Sequence, residues 1–413
     1  MNNKQNNLLE SANRRIEQYR KGKIYLTITD KNGEKVAGAR VRAKQKSHQF
    51  LFGCNIYPLE PENQSEEQRS YKTRFEKLFN FATLPFYWGT YEREPGEKQE
   101  ERLKAMAAWC SDHCITPKGH PLVWHSVWPS WGPDDPDEAR EMLQKRVRNV
   151  ANGFRTYIKH WDVINESTVS ADFDNGLGKW VAREGPADVA SQCLEWAHDA
   201  APEAVLLVND FNVSPEYQKQ LAELTDRGAP IDAIGIQSHM HGGEWELKRL
   251  WEVCEEYARF ELPIHFTETT VLSGKRIPDD VPFDEANWQD WPSTPEGEKR
   301  QCEYVESFYT LLFSHPSVEA ITWWDLRDGC WKNAPAGLLR LDLSPKPAYE
   351  RLHTLIHSEW TTDKTLITDS SGAAVLNGFY GKYDLQLVGT STETSFDHRS
   401  AEGTSDIRVV LPG

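Results

Sequence analysis

Between about residues 50 and 357, short apolar runs alternate with longer stretches whose apolar positions recur every three or four residues. The runs at 50–56, 79–83, 116–124, 160–165, 205–209, 233–237, 264–267 and 320–324 have strand length. The stretches 101–113, 137–159, 187–200 and 244–260 carry the helical spacing. Eight strands, each followed by a helix, predict an α/β protein of the (β/α)8 TIM-barrel type. In that architecture the C-terminal ends of the strands carry the chemistry.

The two ends of the chain have another texture. Residues 23–45 alternate as two strands around the turn formers Asp30, Asn32 and Gly33, which predicts a β-hairpin after a short N-terminal helix. Residues 365–412 repeat the alternation, with a turn at Asp369 and Gly372 and then the runs YDLQLVG and IRVVL. The polar stretch 390–406 reads as a mobile loop. Neither end is long enough for a core of its own, so both are expected to build one small accessory β-sheet packed beside the barrel. The resulting plan is 1–49 for the N-terminal helix and hairpin, 50–357 for the barrel, and 358–413 for the C-terminal β segment. One long connection, 272–299, is rich in Pro, Asp and Trp, and on a barrel it would hang over the catalytic face as a substrate-contacting lid.

Composition narrows the partners. A net charge of -16 repels polyanions, so nucleic acid and anionic membranes are poor partners, and a neutral or mildly acidic substrate fits better. Tryptophan stands out at 16 residues, and Trp88, Trp128, Trp131, Trp288 and Trp291 fall in polar or Pro-rich segments. There a flat ring offers a sugar's C–H face something to stack on, with core packing as the alternative. Seven cysteines at irregular spacing give no disulfide framework and read as buried thiols. The N-terminus lacks the apolar core of a signal peptide and no segment approaches membrane-spanning length. The chain as written is therefore expected in the cytoplasm, or secreted if a signal has been trimmed away.

Two strand ends carry the candidate chemistry. HWDVINE, residues 160–166, ends in Glu166, and PIHFTE, residues 263–268, ends in Glu268 three strands later. Carboxylates from strands four and seven can face each other across a barrel mouth. Glycoside cleavage needs such a pair, one acid to protonate the leaving oxygen and one carboxylate to attack or stabilise the sugar cation. Spacing alone leaves open a pair of strand-end salt bridges. His120, His125, His239 and His241 raise the thought of a metal, but no HExxH pattern or acidic ligand cluster accompanies them, so no metal or cofactor is expected.

Four ordered strings sharpen the reading: GHPLVWHSVWPSW at 119–131, WDVINE at 161–166, GIQSHMH at 235–241 and ITWWDLRDGCW at 321–331. Together they resemble glycoside hydrolase family 10, mainly endo-β-1,4-xylanases on a (β/α)8 barrel. The resemblance implies Glu166 as acid/base and Glu268 as nucleophile, with Asn165 bonding the sugar 2-hydroxyl. It further implies sugar contacts by His120, Trp124, Gln237, His239, Trp324 and Trp331. The expected activity is retaining cleavage of β-1,4-xylosidic bonds in xylan or xylo-oligosaccharides. An exo-acting or aglycone-selective β-glycosidase and a non-catalytic carbohydrate-binding barrel are the alternatives, and oligomeric state is left open.

Two departures from the family pattern stand out. Where the family has an ENxMKW-like string after strand two, this chain has TLPFYWGTYERE at 83–94, so polar grips become aromatic. Phe86, Tyr87 and Trp88 are available there, and Tyr87 and Trp88 are the expected stacking residues. Where the family reads TELD, this chain has TETT, which puts Thr270 in place of an Asp that steadies the histidine beside the nucleophile.

Overall fold

The computed structural model describes residues 8–277 and 291–410. Eight strands make one closed parallel sheet. They are β1 (Leu51–Asn55), β2 (Phe81–Pro85), β3 (Thr116–His120), β4 (His160–Asn165), β5 (Val205–Asp210), β6 (Ala233–Ile236), β7 (Ile264–Val271) and β8 (Val318–Trp323). Neighbours follow chain order from β1 to β7, and β8 pairs with both β7 and β1 to close the ring. Strands covered on both faces should read as apolar runs, and β5 does over 205–208 before it ends in the buried polar residues Asn209 and Asp210. Helices separate the strands. In Pro136–Phe154, for example, the Asp135 side chain accepts from the N–H groups of Asp137 and Glu138 while Pro136 takes a first-turn position that needs no donor.

Two strands differ from the expected bounds in ways that matter. β3 stops at His120, and the chain then peels away, keeping one parallel bridge from Val123 to Ile164. β7 runs on to Val271, so Glu268 lies within a strand and not at its end. An irregularity in the β7–β8 register between Phe266 and Thr269 re-aims the local backbone at this carboxylate. A further two-residue strand, His239–Met240, pairs with Thr270 and Val271.

The chain divides into two compact units. One comprises residues 52–302 and 317–348; the other gathers the terminal segments with residues 303–316 and 349 onward. The terminal unit contains the expected accessory β structure, as two small sheets sharing a core. Lys21–Thr29 pairs antiparallel with Ala373–Phe379 and parallel with Thr404–Val410. Arg40–His48 pairs antiparallel with Asp363–Ile367 and with Gly381–Leu387, which pairs in turn with Glu393–His398. Ile24, Leu26, Val41, Ala43, Leu376, Tyr383 and Leu385 fill the space between the sheets.

Two expectations need correcting. The strands of the N-terminal segment are not partners in a hairpin, because each finds a longer ladder with a C-terminal strand; only the Thr29–Lys35 bridge remains of it. The stretch expected as a mobile loop holds the strand Glu393–His398 and the start of Thr404–Val410. The proposed lid is described only in part, since 278–290 lie outside the described residues, as does Trp288. Among the described residues no helix is long and apolar enough to cross a membrane.

Candidate active site

Glu166 follows β4 directly, and its backbone N–H donates to the Asn209 carbonyl of β5 at 2.8 Å. Its φ of 53° lies in the left-handed region, a conformation that is strained for a side chain of this size and typical of functional positions. Three donors fix the carboxylate: Gln237 Nε2 at 2.9 Å and Asn165 Nδ2 at 3.2 Å reach Oε1, and Trp124 Nε1 reaches Oε2 at 3.1 Å. Burial disfavours the ionised form, the donors from Gln237 and Trp124 oppose that, and the nearby Glu268 and Asp210 charges reinforce it. The net result holds Glu166 up at about 7.

Glu268 is buried within β7. Asn209 Nδ2 donates to its Oε1 at 2.8 Å, His239 Nε2 sits 3.0 Å from Oε2, and His120 Nε2 lies 3.8 Å from Oε1. Burial pushes this carboxyl up too, but His120 and His239 outweigh it, and Glu268 is held below its ordinary value. His120 is itself anchored: its Nδ1 meets Asp162 Oδ2 at 2.7 Å, and Lys118 Nζ meets the same oxygen at 2.7 Å, all three side chains being buried. Thr270 hydroxyl lies 3.3 Å from both His239 Nδ1 and His241 Nε2, so a neutral hydroxyl serves where the family pattern has a carboxylate.

The two glutamates are tied together by amides. Asn165 Oδ1 accepts from Asn209 Nδ2 at 2.7 Å and from Gln237 Nε2 at 3.3 Å, and these same two amides donate to Glu268 and Glu166. Asn209 is oriented by Thr267 Oγ1, which donates to its Oδ1 at 2.6 Å. Gly235 makes the arrangement possible, because a Cβ there would come within 2.5 Å of Asn209 Oδ1.

Both carboxylates open into one cleft of about 870 Å³. Asn165, His120, Trp124, Gln237, His239, Trp324, Trp331 and Tyr87 line it with them. Trp331 stacks on His239 with ring centroids 4.7 Å apart. Tyr87 packs edge-on against Tyr57 and shares a 3.1 Å hydroxyl contact with it, while Tyr57 also packs edge-on against Trp324.

Trp88 does not belong with this group. It is buried against Trp128 and Trp131 at ring distances of 5.0 and 5.5 Å, on the Arg146 guanidinium. Phe86 is likewise core, packed edge-on against Phe154 and Trp161. The turn after β2 sends only the middle of three consecutive aromatics into the cleft. Sequence reasoning missed Asn209, Phe173, Phe211, Trp245 and Lys332. Only Asn209 left a readable trace, as an amide that ends an apolar run. Among the described residues no three His, Cys, Asp or Glu side chains converge as metal ligands.

Comparison with known proteins completes the description. The model of glycosyl hydrolase family 10 matches residues 41–355. Anti-sigma-I factor RsgI6 of Acetivibrio thermocellus is 24% identical over 92% of this chain and 46% of its own length. Endo-1,4-beta-xylanase 1 of Arabidopsis thaliana is 24% identical over 93% of this chain and 38% of its own length. The chain thus spans less than half of these two relatives. Endo-1,4-beta-xylanase B of Thermotoga neapolitana is 26% identical, covering 75% of this chain and 88% of the relative. In fold, the chain is similar to xylanase 10B from Thermotoga petrophila in complex with xylobiose, with a TM-score of 0.62 at 22% identity over 75% of this chain and 95% of the other.

Proposed function

The chain belongs to glycosyl hydrolase family 10, and from that premise we propose that it cleaves β-1,4-xylosidic bonds with retention through a covalent glycosyl-enzyme. The observation that carries the reading is a pair of carboxyls in one cleft whose acidities are pulled apart, Glu166 up to about 7 and Glu268 below its ordinary value. That split supports a division of roles. Glu268, ionised, attacks the anomeric carbon, while Glu166, protonated, gives its proton to the departing glycosidic oxygen. Glu166, now ionised, takes a proton from the incoming water, whose oxygen displaces Glu268 and restores both groups.

The surrounding residues support this cycle. Asn165 spends one N–H on Glu166 and both lone pairs on its neighbours, which leaves one N–H for a sugar hydroxyl. Trp324 and Trp331 offer flat faces for the sugar ring. Proton NMR of the first product formed from a xylo-oligosaccharide tests the stereochemistry, and an inverted anomer would refute both roles. Glu268→Ala should abolish turnover of an aryl xyloside.

A second reading, an exo-acting or aglycone-selective β-glycosidase, draws support from Phe173 and Phe211, apolar cleft-lining residues that are 39% and 46% exposed. Product profiles on linear xylo-oligosaccharides against aryl and terpenoid glycosides separate the two.

A further inference from the structure

Building on the hydrolase reading of the cleft, we propose that an aromatic wall of Tyr57, Tyr87 and Trp324 closes it one sugar beyond the bond that is cut. The chain therefore takes a xylo-oligosaccharide by its non-reducing end and releases one xylose at a time.

The two carboxylates set the direction of the cleft. Glu166 protonates the oxygen that departs, so the leaving part of the substrate passes the neighbours of Glu166. His125 Nε2 lies 3.7 Å from Glu166 Oε2, and the His125 ring packs on Phe173 with centroids 3.7 Å apart. Phe173, Phe211, Gly242 and Trp245 line that side, from the segments after β4, β5 and β6, and both phenylalanines are exposed. Glu268 holds the sugar that stays. Its partners His120 and His239 each meet the Trp324 ring edge-on, at 5.4 and 5.8 Å, so that sugar lies toward β8, β1 and β2.

On this side the described residues close the cleft. Tyr87 lines it, wedged between His120 and Trp124 with both ring centroids 5.4 Å from its own. Tyr57 stands behind, 5.8 Å from Tyr87 and 5.6 Å from Trp324, packed edge-on against each. The wall is fastened on both flanks. Asn55 Nδ2 donates to Asp325 Oδ1 at 3.1 Å, both side chains being buried, and Arg327 Nη1 reaches Glu67 Oε1 at 2.5 Å. These two bonds tie the loop after β8 to the end of β1 and to the helix Glu66–Leu78. Arg102 Nη2 donates to the Tyr57 carbonyl at 2.8 Å, which ties the loop after β1 to the helix Glu100–Asp112 that follows β2. Three neighbouring loops are thus laced together where a second glycone sugar would have to pass.

The linkage chemistry then selects the chain end. In a β-1,4-linked chain the 4-oxygen of an internal sugar carries another sugar, whereas at the non-reducing end it is a free hydroxyl. Only the hydroxyl fits against a closed wall. The Tyr57 and Tyr87 hydroxyls lie 3.1 Å apart; one of their two protons serves the bond between them, and the other is left for that terminal hydroxyl. An internal sugar would press a bulky group against both tyrosines and leave this proton unpaired.

The test follows the full chain acting on xylopentaose labelled at its reducing end, with early products separated by chromatography. Xylose and labelled xylotetraose should appear first, and unlabelled xylobiose or xylotriose among the first products overturns the proposal. A 4-O-methyl cap on the non-reducing sugar should slow cleavage at least about tenfold, the discrimination that one added carbon brings in a closed pocket. Capped and uncapped chains cut at the same rate also overturn it. Tyr87→Ala should open the wall, release unlabelled xylobiose and bring the capped-to-uncapped ratio close to one. If that variant is folded by circular dichroism and still releases xylose alone, the wall is wrongly assigned; if it does not fold, the parent's own products decide. Failure of the parent to cut any xylo-oligosaccharide would sink the hydrolase reading instead. Calorimetry on Glu268→Gln still decides the wall in that case: xylobiose should bind at least about tenfold more tightly than its capped form, and equal binding, or none, overturns it.

Discussion

Glu166→Gln should remove activity and, above neutral pH, remove a stability penalty. In the folded chain burial and the Glu268 charge hold Glu166 at about 7, against an ordinary 4.5 that unfolding restores. Below the ordinary value both states keep the proton, and the stability tied to it is fully present. As pH rises the unfolded state ionises first, and that stability is lost by the time pH passes the folded value. At about 1.4 kcal/mol per tenfold in proton affinity, the loss amounts to about 3 kcal/mol. The side chain is only 16% exposed, so solvent screening removes little of it.

Glutamine cannot ionise and escapes this loss. It brings a pH-independent cost of its own, because all three partners of Glu166 are donors and the new amide N–H2 must face one of them. That cost is about 1–3 kcal/mol. The clean quantity is therefore the change in the variant-minus-parent unfolding free energy between pH of about 4 and about 8, expected near 3 kcal/mol in favour of the variant. Urea unfolding followed by tryptophan fluorescence and circular dichroism measures it, provided the two probes coincide. Parallel stability curves across that interval would refute the assignment of a raised acidity to Glu166.

Other substitutions probe the remaining contacts. The pH profile of kcat/KM should be bell-shaped, rising through the ionisation of Glu268 below about 4.5 and falling near 7 as Glu166 loses its proton, and a flat alkaline side up to pH of about 9 would contradict it. Thr270→Asp places a carboxylate beside His239 Nδ1, whose other ring nitrogen meets Glu268, and should shift the pH profile of activity; an unchanged profile removes the idea. Asn209→Ala unties Asn165 and Glu268 together and should lower kcat about 10²-fold with KM much less affected, as measured by steady-state kinetics. Trp88→Ala should cost about 3–5 kcal/mol of stability by emptying core volume, whereas Tyr87→Ala should act mainly on KM, and denaturation beside kinetics distinguishes them.

The amino-acid order by itself determined the barrel and singled out the two carboxylates as candidates. Strands covered on both faces must be apolar throughout and helices must be apolar every third or fourth residue, so eight repeats of that alternation are written openly along the chain. Glu166 and Glu268 stand out because a carboxylate at the mouth end of a barrel strand needs a partner or a use. Tertiary structure decided what depends on distant neighbours. Nothing local distinguishes Phe86, Tyr87 and Trp88; the turn after β2 aims the first and third into the core and the second into the cleft. Asn209 matters only because β4 and β7 bring Asn165 and Glu268 within reach of one amide, and because Gly235 leaves it room. The terminal strands chose their ladders by burial shared across more than 300 residues of chain, as in Leu26 opposite Ala374, a pairing that a local alternating pattern cannot specify.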